Sequence, residues 1–233
     1  YLLFILAILV VVLSLFTLQE TIKKEKKVTI DFKNIFIIYS NIIKNNNFLI
    51  PAIATCLMYM FVFGYIAGAS YSYKEIYNLD SKTFGLVFGA TGSALLFGAL
   101  LSTKLLEVLN MKQLSISGSA IIIFGSIISF ISSNIDMIGL DGIVIGFFIS
   151  FFGLGLAEAS LFSIAMSSQK TSLGSTAALL GSLQLLLPAT STLVAGYLVE
   201  VSIFYWLGFL FILSILSFVF TMIVFKNSKI LSV

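Results

Sequence analysis

The 233-residue chain is 59% hydrophobic and only 10% charged, with a net charge of +3. A soluble domain carries roughly 25% charged residues, so a chain this apolar cannot cover itself with polar surface in water. A polytopic membrane protein is expected, with the lipid bilayer as its first partner and no nucleic acid. All 13 basic residues are lysines and histidine is absent, which removes both the imidazole relay and the guanidinium clamp. The single Cys56 allows no intrachain disulfide and no thiolate cluster, so no metal and no cofactor are expected.

A helix needs roughly 20 apolar residues to cross a bilayer core. Seven stretches approach or meet that length: 1–18, 48–71, 84–103, 114–133, 143–166, 175–199 and 203–225. Lipid offers no partner to free backbone groups, so each is expected to be helical. These runs are too long and continuous for the alternating strands of a barrel. Tyr1 opens inside an apolar run with no basic segment before it, which is not the pattern of a signal peptide. Residues 1–18 are therefore read as the last transmembrane helix of an N-terminal bundle that begins upstream.

Residues 19–47 form the long connection. It opens with Gln19-Glu-Thr-Ile-Lys-Lys-Glu-Lys-Lys27 and then places Ile35, Ile38 and Ile42 at helical spacing. The expectation is a basic cytoplasmic linker carrying a short surface helix, its lysines reaching lipid headgroups. Residues 48–225 follow as a six-helix transmembrane bundle with short loops, and 226–233 as a tail. If the first span runs inward, 11 of the 13 lysines lie on the cytoplasmic side, leaving Lys74 and Lys82 outside. The positive-inside rule then puts the C-terminus in the cytoplasm, and a multi-pass protein of the cell inner (cytoplasmic) membrane is the expectation.

Several stretches carry a resemblance. The plan of one helix, linker and six helices is similar to the second half of the major facilitator superfamily. Leu18-Gln19-Glu20-Thr21, the linker stretch FIIYSNIIKNNNFLIPA (36–52), Tyr65–Gly89, and GSTAALLGSLQ (174–184) resemble segments of its bicyclomycin/chloramphenicol (Bcr/CflA-type) drug:proton antiporters. The resemblance implies an all-α transmembrane helical bundle of major-facilitator type. It also implies efflux of small, chemically varied compounds driven by inward proton flow, with the proton as coupling ion. The partners it implies are a small-molecule substrate and a six-helix N-terminal half. The alternatives are a facilitator for another solute (a sugar, amino acid or peptide) and a truncated membrane protein that does not transport. An enzyme is not expected, because metal and dyad chemistries find no residues here.

Individual residues then stand out. Glu158 is the one carboxylate read as lying deep in a span, near the middle of 143–166. Acids at such depth face a bundle interior or a water cavity, and one that exchanges a proton for a cation performs the chemistry antiport needs. The alternative reading is a structural carboxyl bonded to Ser160 or to a helix upstream. Gln184 and Ser182 are candidates for the substrate pathway, because Pro188 cannot donate to the Gln184 carbonyl and so kinks the span. Tyr59 and Tyr65 are candidates because their hydroxyls are costly against lipid. Gly64 with Gly68, Gly85 with Gly89, and Gly142 with Gly146 form small-xxx-small pairs that let helices approach closely. Gly153 and Gly155, just before Glu158, are expected to admit a neighbouring helix. Lys104, Asn110 and Lys112 mark a basic cytoplasmic loop, with Asn110 tolerating a left-handed turn. Trp206 with Tyr205 reads as an interfacial anchor.

Overall fold

The computed structural model describes residues 2–17, 32–134, 139–169 and 172–226. The expectations for Gln19, Glu20 and the lysine run after them, for Lys170 and for residues 227–233 lie outside that set. The described elements are helices: α1 (Leu2–Thr17), α2 (Phe32–Lys44), α3 (Asn46–Tyr71), α4 (Ser81–Leu105), α5 (Met111–Ser132), α6 (Gly139–Ser167), α7 (Leu173–Val201) and α8 (Ile203–Lys226). A π-helical turn, Ser72–Ile76, continues α3. No strand occurs among the described residues, so the all-α expectation holds. Six helices, α3 to α8, are long and apolar enough to cross a membrane, and they coincide with the last six spans read from sequence. The seventh, α1, has 16 described residues, apolar except for Ser14 and Thr17, and those 16 are fewer than the roughly 20 a crossing needs.

The chain divides into two units, Tyr1–Phe36 and Ile37–Val233. In the second, α6 packs against α4 on one side and α5 on the other, while α3 meets α6, α7 and α8. Lipid supplies no hydrophobic force between helices, so close approach through small residues and polar cross-links must do the holding. The glycines show how close the approach is. A Cβ on Gly153 would stand 2.6 Å from the Gly118 carbonyl of α5, and one on Gly155 would stand 2.2 Å from the Leu95 carbonyl of α4. Gly142 and Gly146 face Ser132 and Ser129 of α5 in the same way. Two hydroxyls close the α5–α6 seam, Ser129 donating to the Ile143 carbonyl at 3.0 Å and Ser150 to the Ile122 carbonyl at 3.1 Å.

The glycine pairs differ in their surroundings. Gly64 and Gly68 are filled by neighbours: an added Cβ would meet Leu210 and Ser191 at Gly64, and the Trp206 ring at 2.2 Å at Gly68. Gly85 and Gly89 have open space there, as do Gly92 on α4 and Gly174, Gly181 and Gly196 on α7.

Trp206 corrects an expectation. It is fully buried, with its indole N–H donating to the Gly64 carbonyl at 2.9 Å; the gap above Gly64 and Gly68 accepts the ring that a span end otherwise offers to headgroups. Tyr205 beside it is exposed. The linker helix also differs from a free surface helix. Ile38, Tyr39 and Ile42 of α2 pack on Phe48, Ala52, Ala165, Leu179 and Leu180, at the ends of α3, α6 and α7. An i, i+4 apolar pair buries as well on protein as on lipid, and here protein lies within reach.

Charge marks the two ends of the bundle. Lys44, Lys104, Lys112 and Lys226 gather at one, which we call the basic end. Asn110 caps α5 there in an extended conformation (φ −82°), not in a left-handed turn. Its side chain accepts from the Gln113 N–H at 2.9 Å while Gln113 accepts from the Asn110 N–H at 3.1 Å. This is a capping box, and it satisfies two otherwise orphaned donors at the helix start. Lys104 is exposed, and Lys112 is 9% exposed.

Candidate functional site

Three cross-helix bonds fix α3 along its length. Ser217 of α8 donates to the Ala54 carbonyl at 3.3 Å, Ser191 of α7 to the Met60 carbonyl at 2.6 Å, and Trp206 of α8 to Gly64. The glycines and serines described above fix α6 between α4 and α5. The side-chain hydrogen bond between α3 and α6 themselves joins Tyr59 to Glu158.

The Tyr59 hydroxyl donates to Glu158 Oε1. This is the one hydrogen bond to the Glu158 carboxylate among the described residues, and both side chains are half-buried. Glu158 lies nine residues before the end of α6 at Ser167 and 19 after its start at Gly139. It therefore sits in the basic-end half of the helix, a few residues past the middle, as the sequence reading has it. Ala159 and Phe162, adjoining it on the helix surface, are exposed, so the carboxyl opens onto an uncovered face of α6. Ser160 is not its partner: that hydroxyl is buried with no hydrogen bond.

Toward the other end of the bundle, apolar rings close the space between α3 and α6. Phe61 meets Phe147 and Phe151 at centroid distances of 6.1 and 6.4 Å, and Tyr65 meets the same two rings at 4.6 and 4.9 Å. Tyr65 also stacks on Phe88 of α4 at 5.6 Å. It is 1% exposed, and its hydroxyl lies beside those of Thr91 and Tyr73 without closing a bond of ordinary geometry. Tyr65 therefore neither snorkels to an interface nor reaches Glu158. Tyr73 was not singled out from sequence, since it follows the apolar run and reads as loop. The π-helical turn brings it back inside, where its hydroxyl and that of Ser72 are buried without partners.

Gln184 faces inward on α7, 6% exposed, and its Nε2 has no hydrogen-bond partner. Pro188 is buried on the same face, and α7 continues as helix through it. Having no N–H, Pro188 leaves the Gln184 carbonyl without its i+4 donor. Ser182 is exposed, on the face of α7 away from Gln184, and donates to the Leu179 carbonyl of its own helix at 2.9 Å. Of the residues singled out from sequence, the fold brings Tyr59 and Glu158 into contact and leaves Tyr65 in a separate ring cluster. Among the described residues, no group of three or more His, Cys, Asp or Glu comes together to hold a metal.

Chemically, the site offers a carboxylate with one oxygen held by a phenol and one without a donor among the described residues, set in apolar surroundings. Such a group takes up a proton or a cation. Comparison with known proteins places the site in context. A family model described as Major Facilitator Superfamily matches residues 1–185. An uncharacterised MFS-type transporter, YdgK of Bacillus subtilis, is 27% identical over 198 residues, which is 84% of this chain and 48% of that protein. The multidrug transporter MdfA of Escherichia coli is 27% identical over 149 residues, 64% of this chain and 36% of that protein. The chain thus spans about half the length, or less, of these relatives.

Proposed function

The chain belongs to the Major Facilitator Superfamily, and we propose that it forms part of a secondary active transporter, a proton-coupled exporter of small drug-like or toxic compounds of the Bcr/CflA type. The observation that carries this reading is Glu158, a half-buried carboxylate inside an apolar span, bonded to Tyr59 and open on one side. Ionisable groups at such positions mark ion and substrate pathways. A multidrug transporter among the relatives supports export of varied compounds, and the gathering of lysines at one bundle end supports a bacterial inner membrane with that end in the cytoplasm.

The working unit in this reading includes a second bundle. The matched stretches cover only 48% and 36% of the two relatives, and the open glycine faces of α4 and α7 are suited to close approach by further helices. Alternating access then follows from one bundle rocking against the other around a site between them. In that cycle Glu158 releases a proton as it takes up a cationic substrate, and recovers one after release.

The test is dye efflux from vesicles holding the complete gene product, with and without an imposed pH gradient. Export that requires the gradient is expected. Glu158→Gln should slow export of cationic dyes by at least tenfold and of neutral ones much less. Equal export of both by wild type and variant, gradient or not, would dispose of the reading.

A further inference from the structure

Tyr59 occupies one of the two oxygens of Glu158, and that occupancy has a consequence for which cations fit. A free carboxylate accepts a guanidinium through two parallel N–H···O bonds, and this fork is the main advantage a guanidinium holds over an ammonium. An ammonium is a compact point charge that needs one acceptor at a time. A carboxylate whose first oxygen already accepts from a phenol keeps one unengaged oxygen, Oε2, and a guanidinium fork has to share Oε1 with the phenol.

We propose that Tyr59 is a positioning and specificity-determining residue: by engaging Oε1 it leaves Oε2 as the one unengaged oxygen of the carboxylate and makes a guanidinium fork compete with the phenol, so that Glu158 favours substrates ending in a protonated amine over those ending in a guanidinium. The inference rests on Glu158 being the cation site, as proposed above.

The surroundings agree with this geometry. No second donor from the protein reaches the Glu158 carboxylate among the described residues. Ser160 is turned away, and Gln184 makes no side-chain bond through its nitrogen. On α3 the other titratable group nearby in sequence is the buried thiol of Cys56. On α4 the charges are the exposed Lys104 in the last turn, at the basic end, and Lys82 in the first turn, at the opposite end. On α5 the charge is Lys112 in the first turn, at the basic end. The carboxylate is therefore held by Tyr59 and by the packing of its own helix. Tyr59 is in turn held by the bonds that pin α3 at Ala54 and Met60.

The experiment uses the complete gene product in membranes and two probes sharing one naphthyl tail, one ending in a primary ammonium and the other in a guanidinium. Each is titrated for protection of Glu158 against a hydrophobic carbodiimide, followed by mass spectrometry of the labelled peptide. In the wild type the ammonium should protect at the lower concentration. In Tyr59→Phe, which deletes one oxygen and keeps the ring, the ratio of the two half-protecting concentrations should move toward the guanidinium by about tenfold, the worth of one hydrogen bond to a charged group. Tyr59→Leu should move it the same way. Loss of packing weakens both probes together and leaves the ratio where it was, so a constant ratio in both variants overturns the role of Tyr59. Should both probes protect the wild type with that constant ratio, the cation site stands and only the specificity claim falls. Absence of protection by either probe overturns the site itself.

Discussion

The indole N–H of Trp206 donates to the backbone carbonyl of Gly64 at 2.9 Å, and its ring lies over Gly68 one turn further along α3. The bond fixes the ring in the plane where any side chain at position 68 has to stand. A Cβ there falls 2.2 Å from ring atoms, and the ring cannot swing away without leaving the buried indole N–H unpaired.

Gly68→Ala is therefore expected to destabilise the bundle by about 1–3 kcal/mol, the usual cost of overpacking a core. Trp206→Phe, which surrenders the hydrogen bond but frees the ring to shift, should recover part of that loss when combined with it. Thermal unfolding in detergent measures both. A Gly68→Ala protein as stable as wild type would show that α3 and α8 are not packed as closely as described.

The spans were legible in the sequence because they depend on local composition. Long apolar runs bounded by Lys, Asn and Asp leave little choice, and α3 to α8 begin and end within four residues of the expected positions. The site was legible only in part. Glu158 stands out because an acid in a greasy run is conspicuous. Its link to Tyr59 is a contact 99 residues away, and no local pattern reports such a pairing. Trp206 misled for an instructive reason. An aromatic at a span end is equally suited to headgroups and to a gap between helices, and the deciding feature was the Gly64–Gly68 gap on another helix. Tyr73 was missed because a π-helical turn reads as the start of a loop.

Asp80 caps α4, its carboxylate accepting from the Lys82 N–H at 3.2 Å. The hydroxyl of Thr83, together with the backbone N–H groups of Lys82 and Thr83, holds the Asp80 carboxyl below its ordinary value. A carboxyl depressed by folding contributes stability above its unfolded value, which is near 4, and that contribution is lost as pH falls through the folded value. The start of α4 should accordingly fray under acid conditions below about pH 4. Amide exchange at Lys82 and Thr83, corrected for intrinsic rates, should accelerate there relative to Gln113 of α5, whose cap Asn110 does not titrate. Parallel behaviour of the two helix starts would rule the cap out as the cause.

Gln184 gives the sharpest separation of packing from function. Its buried Nε2 has no partner, and an unpaired buried donor costs roughly 1–3 kcal/mol. Methionine has nearly the same length and no donor to satisfy, so Gln184→Met should raise stability by about 1–2 kcal/mol. If the amide is kept for a substrate acceptor, the same change should slow export several-fold while leaving carbodiimide labelling of Glu158 intact. A structural amide gives the opposite pairing, with stability falling and transport falling only in proportion to the protein lost. Measuring unfolding, export and Glu158 labelling on one preparation distinguishes the two, because a pathway residue must be worth more to transport than it costs the fold.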